Sequence, residues 1–148
     1  ITRQKNALVV NKGDIYYNSD SDRVIDYCKY VNPPVTNGWH SVCWAAELGL
    51  FVAVSLSGTG NCVMTSPDGI IWTTRSSAAN NNWWHICWSP ELSLLVSVSQ
   101  SGSGDRVMTS SDGITWVTRS TNDTYWYGVC WAAELGLFVE KEINLNYL

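Results

Sequence analysis

The chain has 148 residues, with 9 Lys plus Arg against 13 Asp plus Glu, a formal net charge of −4 and only 15 % charged residues, where an average soluble domain has roughly 25 %. Nine Trp, seven Tyr and two Phe, each able to bury ~150–250 Å², supply core enough for one domain of this length and exclude disorder as the main state. Nucleic acid is excluded as a partner, because no Lys/Arg cluster exists to neutralise phosphates, and no run of about 18 apolar residues is present to cross a bilayer as a helix.

The sequence repeats itself, and the repeat sets the reading of everything else. A slide of 44 lays Trp39–Asn82 onto Trp83–Trp126 with 23 identities in 44 positions. A slide of 87 lays Val42–Val52 onto Val129–Val139, VCWAAELGLFV in both.

In chain order, the opening ITRQKNALVV lacks the long apolar stretch of a signal peptide. ALVV (7–10), DIYYNS (14–19) and RVIDYCKY (23–30) then read as three strands of a degenerate first copy spanning residues 1–38, and Asn32-Pro-Pro-Val35 forms an extended connector. The first full copy, 39–82, segments at turn signals into WHSVCWA (39–45), LFVAVS (50–55), CVMTS (62–66) and IIWTTR (70–75), with breaks at ELG, SGTGN and PDG. Residues 83–125 repeat that order, and 126–148 supply a first and second strand before the tail KEINLNYL (141–148) departs from the pattern. Alternating Ile143, Leu145 and Tyr147 in the tail read as one further strand.

Four antiparallel strands in a 40–50-residue period predict an all-β fold, a β-propeller or partial propeller of four-stranded blades. About three and a half blades are expected, in one repeat domain over 1–148.

Ser66-Pro-Asp-Gly-Ile-Ile-Trp72 and Ser110-Ser-Asp-Gly-Ile-Thr-Trp116 fall between the third and fourth strands of their copies. Gly69 and Gly113 can take the positive φ of a tight turn, and the carboxylates of Asp68 and Asp112 can accept backbone N–H groups otherwise left orphaned there. Trp72 and Trp116 are expected to fold over the turns as apolar lids. The motif resembles the Asp-box, or bacterial neuraminidase repeat, in its S-x-D-G-x-x-W form. That resemblance implies a peripheral folding role for Ser66, Asp68, Gly69, Trp72, Ser110, Asp112, Gly113 and Trp116. The longer string, W-A-x-E-L-x-L-F-V-A-V-S leading into M-T-S-x-D-G-x-x-W, is similar to tandem repeats in proteins of large DNA viruses, phages and some bacteria.

Sialidases are the best-known enzymes carrying this box, and the resemblance requires that chemistry to be weighed. It needs three arginines converging on one carboxylate, a Tyr/Glu nucleophile pair and an acid. Of five arginines here, Arg75 and Arg119 occupy equivalent repeat positions and cannot converge, while a triad of Arg3, Arg23 and Arg106 has no support. Two suitably placed carboxylates cannot be named either, so no catalytic residue and no cofactor are assigned.

Cys43, Cys87 and Cys130 recur at one position, each before a Trp, and read as small buried hydrophobes. With Cys28 and Cys62 the count is odd, so free thiols in a reducing compartment or a virion are expected rather than a secreted disulfide framework. His40 and His85 lie near Cys43 and Cys87, but H-x-x-C and H-x-C do not share a spacing and Tyr127 follows in the third copy, so no metal site is expected. Asp20, Asp22 and Asp26 lack the glycine and distal glutamate of a calcium loop. SGTGN and SGSGD precede strands, not helices, and do not cradle phosphate.

Thirteen or fourteen strands fall short of the four to eight blades with which propellers close, and three outcomes stay open. The ends could complete one small ring; chains could share blades; or the sequence could be an open arc within a longer array, its strand edges pairing with another protein. The functional expectation is a non-enzymatic scaffold working through protein partners or self-association, as in a viral particle or other large assembly. The alternative is a glycan-binding lectin using Trp83, Trp84, Tyr125, Trp126 and Tyr127, which sequence places in the inter-blade loops NNNWWH and TNDTYWYG. Packing between neighbouring blades competes for the same side chains.

Overall fold

A computed structural model describes residues 32–142. The chain divides into two units, Ile1–Val31 and Asn32–Leu148, and the described residues belong to the second. The strands expected at 7–10, 14–19 and 23–30, and the tail beyond residue 142, lie outside the described residues.

The described residues are all-β, apart from one 3₁₀ turn at Ala46–Leu48. The first sheet runs β1 (Trp39–Ala45), β2 (Leu50–Ser55), β3 (Val63–Ser66) and β4 (Thr73–Arg75), each strand antiparallel to the next. The second repeats it with β5 (Trp83–Ser89), β6 (Leu94–Ser99), β7 (Val107–Ser110) and β8 (Val117–Arg119). The third sheet has two strands, β9 (Trp126–Ala132) and β10 (Leu137–Glu142). Register is the same in the two full copies: Val52 opposes Thr65 in the first sheet as Val96 opposes Thr109 in the second.

Boundaries depart from the sequence reading in three places: β3 begins at Val63 rather than Cys62, β10 continues through Glu142 where the tail is expected to depart at 141, and the fourth strand starts late. IIWTTR reads as a strand from Ile70, because two β-branched residues and a Trp favour extended backbone, yet β4 begins at Thr73. The N–H groups of Ile70 and Ile71 donate instead to Asp68 Oδ1 at 2.8 and 2.9 Å. A carboxylate two and three residues away captures the donors that a ladder would use, and the turn consumes the first half of the expected strand.

Successive side chains of a strand point to opposite faces, and the sheets stack so that the facing sides form two cores. The first gathers Val52, Val54, Cys62 and Val63 from one sheet against Trp83, Ile86, Leu95, Met108 and Trp116 from the next. The second gathers Val96, Val98 and Val107 against Val129, with Trp126 and Phe138 packed on it. At roughly 1.5–3 kcal/mol for each fully buried aliphatic side chain, these two seams hold the array together. Two buried hydroxyls of the second sheet donate to carbonyls: Ser97 Oγ to that of His85 at 2.9 Å, and Ser99 Oγ to that of Asn82 at 2.9 Å.

Candidate functional site

The two Ser-x-Asp-Gly turns are nearly superimposable in their bonding. Ser66 Oγ donates to Asp68 Oδ1 at 3.0 Å and accepts from Gly69 N–H at 2.8 Å. Ser110 does the same with Asp112 and Gly113 at 2.9 and 2.8 Å. Asp112 Oδ1 accepts from Ile114 and Thr115 N–H, both at 2.7 Å. Gly69 and Gly113 have φ of 70° and 73°, the left-handed region. Hydrogen bonds from Ile71 and Ile70 hold the Asp68 carboxyl below its ordinary value. At Asp112, burial pushes upward but the bonds from Thr115 and Ile114 outweigh it, and its carboxyl is lowered as well. Trp72 and Trp116 are buried over the turns, and Trp116 Nε1 donates to the Gly113 carbonyl at 3.2 Å. The serine and aspartate of each motif are thus engaged in local hydrogen bonds that hold the turn.

A row of aromatic residues crosses the three sheets at one level. In β1, β5 and β9 the pairing skips one residue, between Trp39 and Ser41, between Trp83 and His85, and between Gly128 and Trp126. The skipped residues are His40, Trp84 and Tyr127. A bulge re-aims the extra side chain, and here three bulges at one repeat position aim three rings at one another. His40 and Trp84 lie 4.3 Å apart between centroids, and Trp84 and Tyr127 meet edge to face at 5.0 Å. His40 Nδ1 donates to the Trp84 carbonyl at 2.8 Å, an assignment forced by an acceptor that has no hydrogen. His85 Nδ1 instead accepts from Val129 N–H at 3.4 Å. The two Nδ1 atoms therefore play opposite parts, that of His40 donating and that of His85 accepting, each bridging to the next sheet, and neither histidine belongs to a cluster of metal-binding groups among the described residues.

The five aromatics selected as sugar-binding candidates part company. Trp83, Trp84, Trp126 and Tyr127 lie within β5 and β9, not in loops. Trp83 is fully buried, with Nε1 donating to the Ala79 carbonyl at 3.2 Å as Trp39 does to Val35 at 3.1 Å, so no face of it is open to a ligand. Trp126, its counterpart, packs on the second core. Tyr125 alone is in a connection, 46 % exposed, with the Arg106 guanidinium 5.2 Å above its ring. The polar residues before these aromatics read as loops, but they serve the backbone: Asn81 Nδ2 donates to the Asp105 carbonyl at 3.0 Å, and Gly60 and Gly104 N–H donate to Asn80 and Asp123 at 2.6 Å.

The cysteines also differ from expectation. Cys43 and Cys87 are half-buried and Cys130 is exposed, whereas the irregular Cys62 is fully buried. All four are free thiols. Burial first, then the neighbouring Cys87, pushes the Cys43 thiol up to about 12.

The feature that sequence could not reveal is the change in burial from copy to copy. Val52 and Val96 are 0 % and 4 % exposed, and their counterpart Val139 is 48 % exposed. Running the other way, Ile86 and Val129 are 2 % and 3 % exposed while Val42 is 58 %. Between sheets, Trp88 Nε1 donates to Glu47 Oε2 and Trp131 Nε1 to Glu91 Oε2, each at 2.6 Å. The remaining members of those series, Trp44 and Glu134, have no such partner among the described residues.

No protein-family model matches the chain, and a search of curated proteins finds no match to it.

Proposed function

We propose that this chain is a non-enzymatic scaffold of β-propeller blades of the Asp-box type, working by protein–protein contact as a component of a large assembly such as a viral particle. The observation that carries the reading is Val139, exposed on β10, a strand whose outer edge is unpaired among the described residues, where the preceding copies bury the same valine and pair the same edge. Exposed strand edges are templates for other chains. A non-enzymatic role is inferred from how the polar groups are used: Arg75 and Arg119 donate to Thr65 and Thr109 at 3.0 and 2.8 Å, each within its own sheet. Light scattering over a concentration series tests the scaffold. A species larger than one chain supports it, and a stable monomer that pairs with no strand overturns it.

The row of His40, Trp84 and Tyr127, with Tyr125 exposed, favours glycan binding as the second reading, since sugars stack on aromatic faces. A glycan array that stays blank at high protein concentration removes it, and Trp84→Ala should abolish any signal that is found.

A further inference from the structure

We infer that the exposed face of β9–β10 docks on the exposed face of β1 in a second copy of this chain, head to tail, continuing the seam that already joins the sheets. The inference rests on the scaffold reading and names its partner.

Two consecutive seams within the chain obey one rule. One sheet offers its second strand (Val52, then Val96) and the half-buried thiol of its first strand (Cys43, then Cys87). The following sheet offers the alternate positions of its own first strand (Ile86 and Trp88, then Val129 and Trp131). A carboxylate on the hairpin of the earlier sheet (Glu47, then Glu91) accepts the indole N–H of the later one at 2.6 Å. The third sheet presents the first half of this set, exposed: Cys130, Glu134, Leu137 and Val139. The first sheet presents the second half, also exposed: Val42 and Trp44. The two halves match by repeat position, so Val42 of one copy meets Val139 of another and Trp44 Nε1 meets Glu134. Such a contact uses different surfaces on the two partners and grows into a ring or an open filament according to its rotation. Lys141 stands exposed where Val54 and Val98 are buried. Its charge shortens the apolar contact and keeps the association reversible.

The test uses the full chain between ~1 μM and ~1 mM, a range that spans the affinities of modest interfaces. Mass is followed by light scattering and Cys130 is followed by iodoacetamide labelling. Mass should rise in steps of one 16.5 kDa chain while Cys130 labelling slows by about tenfold, as its counterpart Cys87 is half-buried. Val139→Glu and Val42→Glu, both at exposed positions and so compatible with folding, should each weaken association by roughly tenfold or more, as charges buried unpaired do. Lys141→Val should strengthen it. Association that survives both glutamate variants, with Cys130 labelled at one rate throughout, overturns this interface and leaves the scaffold standing. A monomer at every concentration overturns this interface, and it overturns the scaffold as well only when that monomer also pairs with no strand of another protein. Cys130 protected in a monomer overturns the interface, because a segment of the same chain then covers the face.

Discussion

The indole of Trp88 and the carboxylate of Glu47 join two separate sheets through a single hydrogen bond of 2.6 Å, and the pair recurs one repeat later as Trp131 and Glu91. Recurrence of the bond from one copy to the next means that the repeat encodes the seam between units as well as the units. Because the bond is near the surface, it is expected to contribute about 0.5–1.5 kcal/mol. Glu47→Ala should lower the melting temperature by ~2–6 °C, and Glu134→Ala, which lacks an indole partner among the described residues, should leave the melting of a dilute sample unchanged. Differential scanning calorimetry of the two variants checks the contrast.

The Ser-x-Asp-Gly turn is a second place where one substitution should be felt. Ser110→Ala removes the acceptor of the Gly113 N–H in a buried hydrogen bond, and should cost ~1–3 kcal/mol. Denaturant unfolding should show the midpoint falling without a change of slope.

Both box carboxylates have folded-state values lowered from 3.8. A lowered value means that the folded state favours the charged form. The stability that these groups contribute is therefore fully present above the ordinary value and is lost as pH falls through the lowered ones. Asp112→Asn should be less stable than the parent at neutral pH and should lose less of its stability on acidification below pH ~4. A parent and variant that respond identically to acid would show that the turn carboxylate is energetically idle.

The hairpin between the first two strands of each copy turns at Gly49, Ser93 and Gly136, with φ of 61°, 48° and 65°. Ser93 is the one non-glycine residue among the described residues with positive φ, and a side chain there costs ~1–2 kcal/mol. Ser93→Gly should recover ~0.5–1 kcal/mol of that after the greater freedom of an unfolded glycine is subtracted. Thermal melting should rise accordingly.

Thiol reactivity should follow burial, not repeat position. Of the four cysteines among the described residues, Cys130 is exposed and should be alkylated first in dilute protein at pH ~8, with Cys62 and Cys43 last. Cys43 is raised from 9.0 to about 12, so the folded state favours its neutral form. Stability from this group is complete below pH 9.0 and declines as pH rises toward about 12. Cys43→Ala should therefore flatten part of the alkaline unfolding curve, and peptide mapping after brief labelling checks the order.

The strand runs 39–45 and 50–55 are legible residue by residue, because β-branched and aromatic residues alternate between Gly- and Asn-bearing turns and those signals are local. The box is legible for the same reason: Ser, Asp and Gly bond within five residues of one another. Where a local competitor exists, sequence misjudges the outcome, as when Asp68 withdraws Ile70 and Ile71 from β4. Sequence also groups Trp83, Trp84, Tyr125, Trp126 and Tyr127 as one set, though the fold buries the first, packs the fourth on the core and lines up the second and fifth with His40. What sequence by itself determined was the repeated unit: its strands, its turns and the positions that must be apolar. Which of those identical positions are buried was decided only by tertiary structure, because Val52, Val96 and Val139 carry the same side chain in the same local pattern. Burial depends on whether a neighbouring sheet lies against the residue, and that is a property of the stack rather than of the residue.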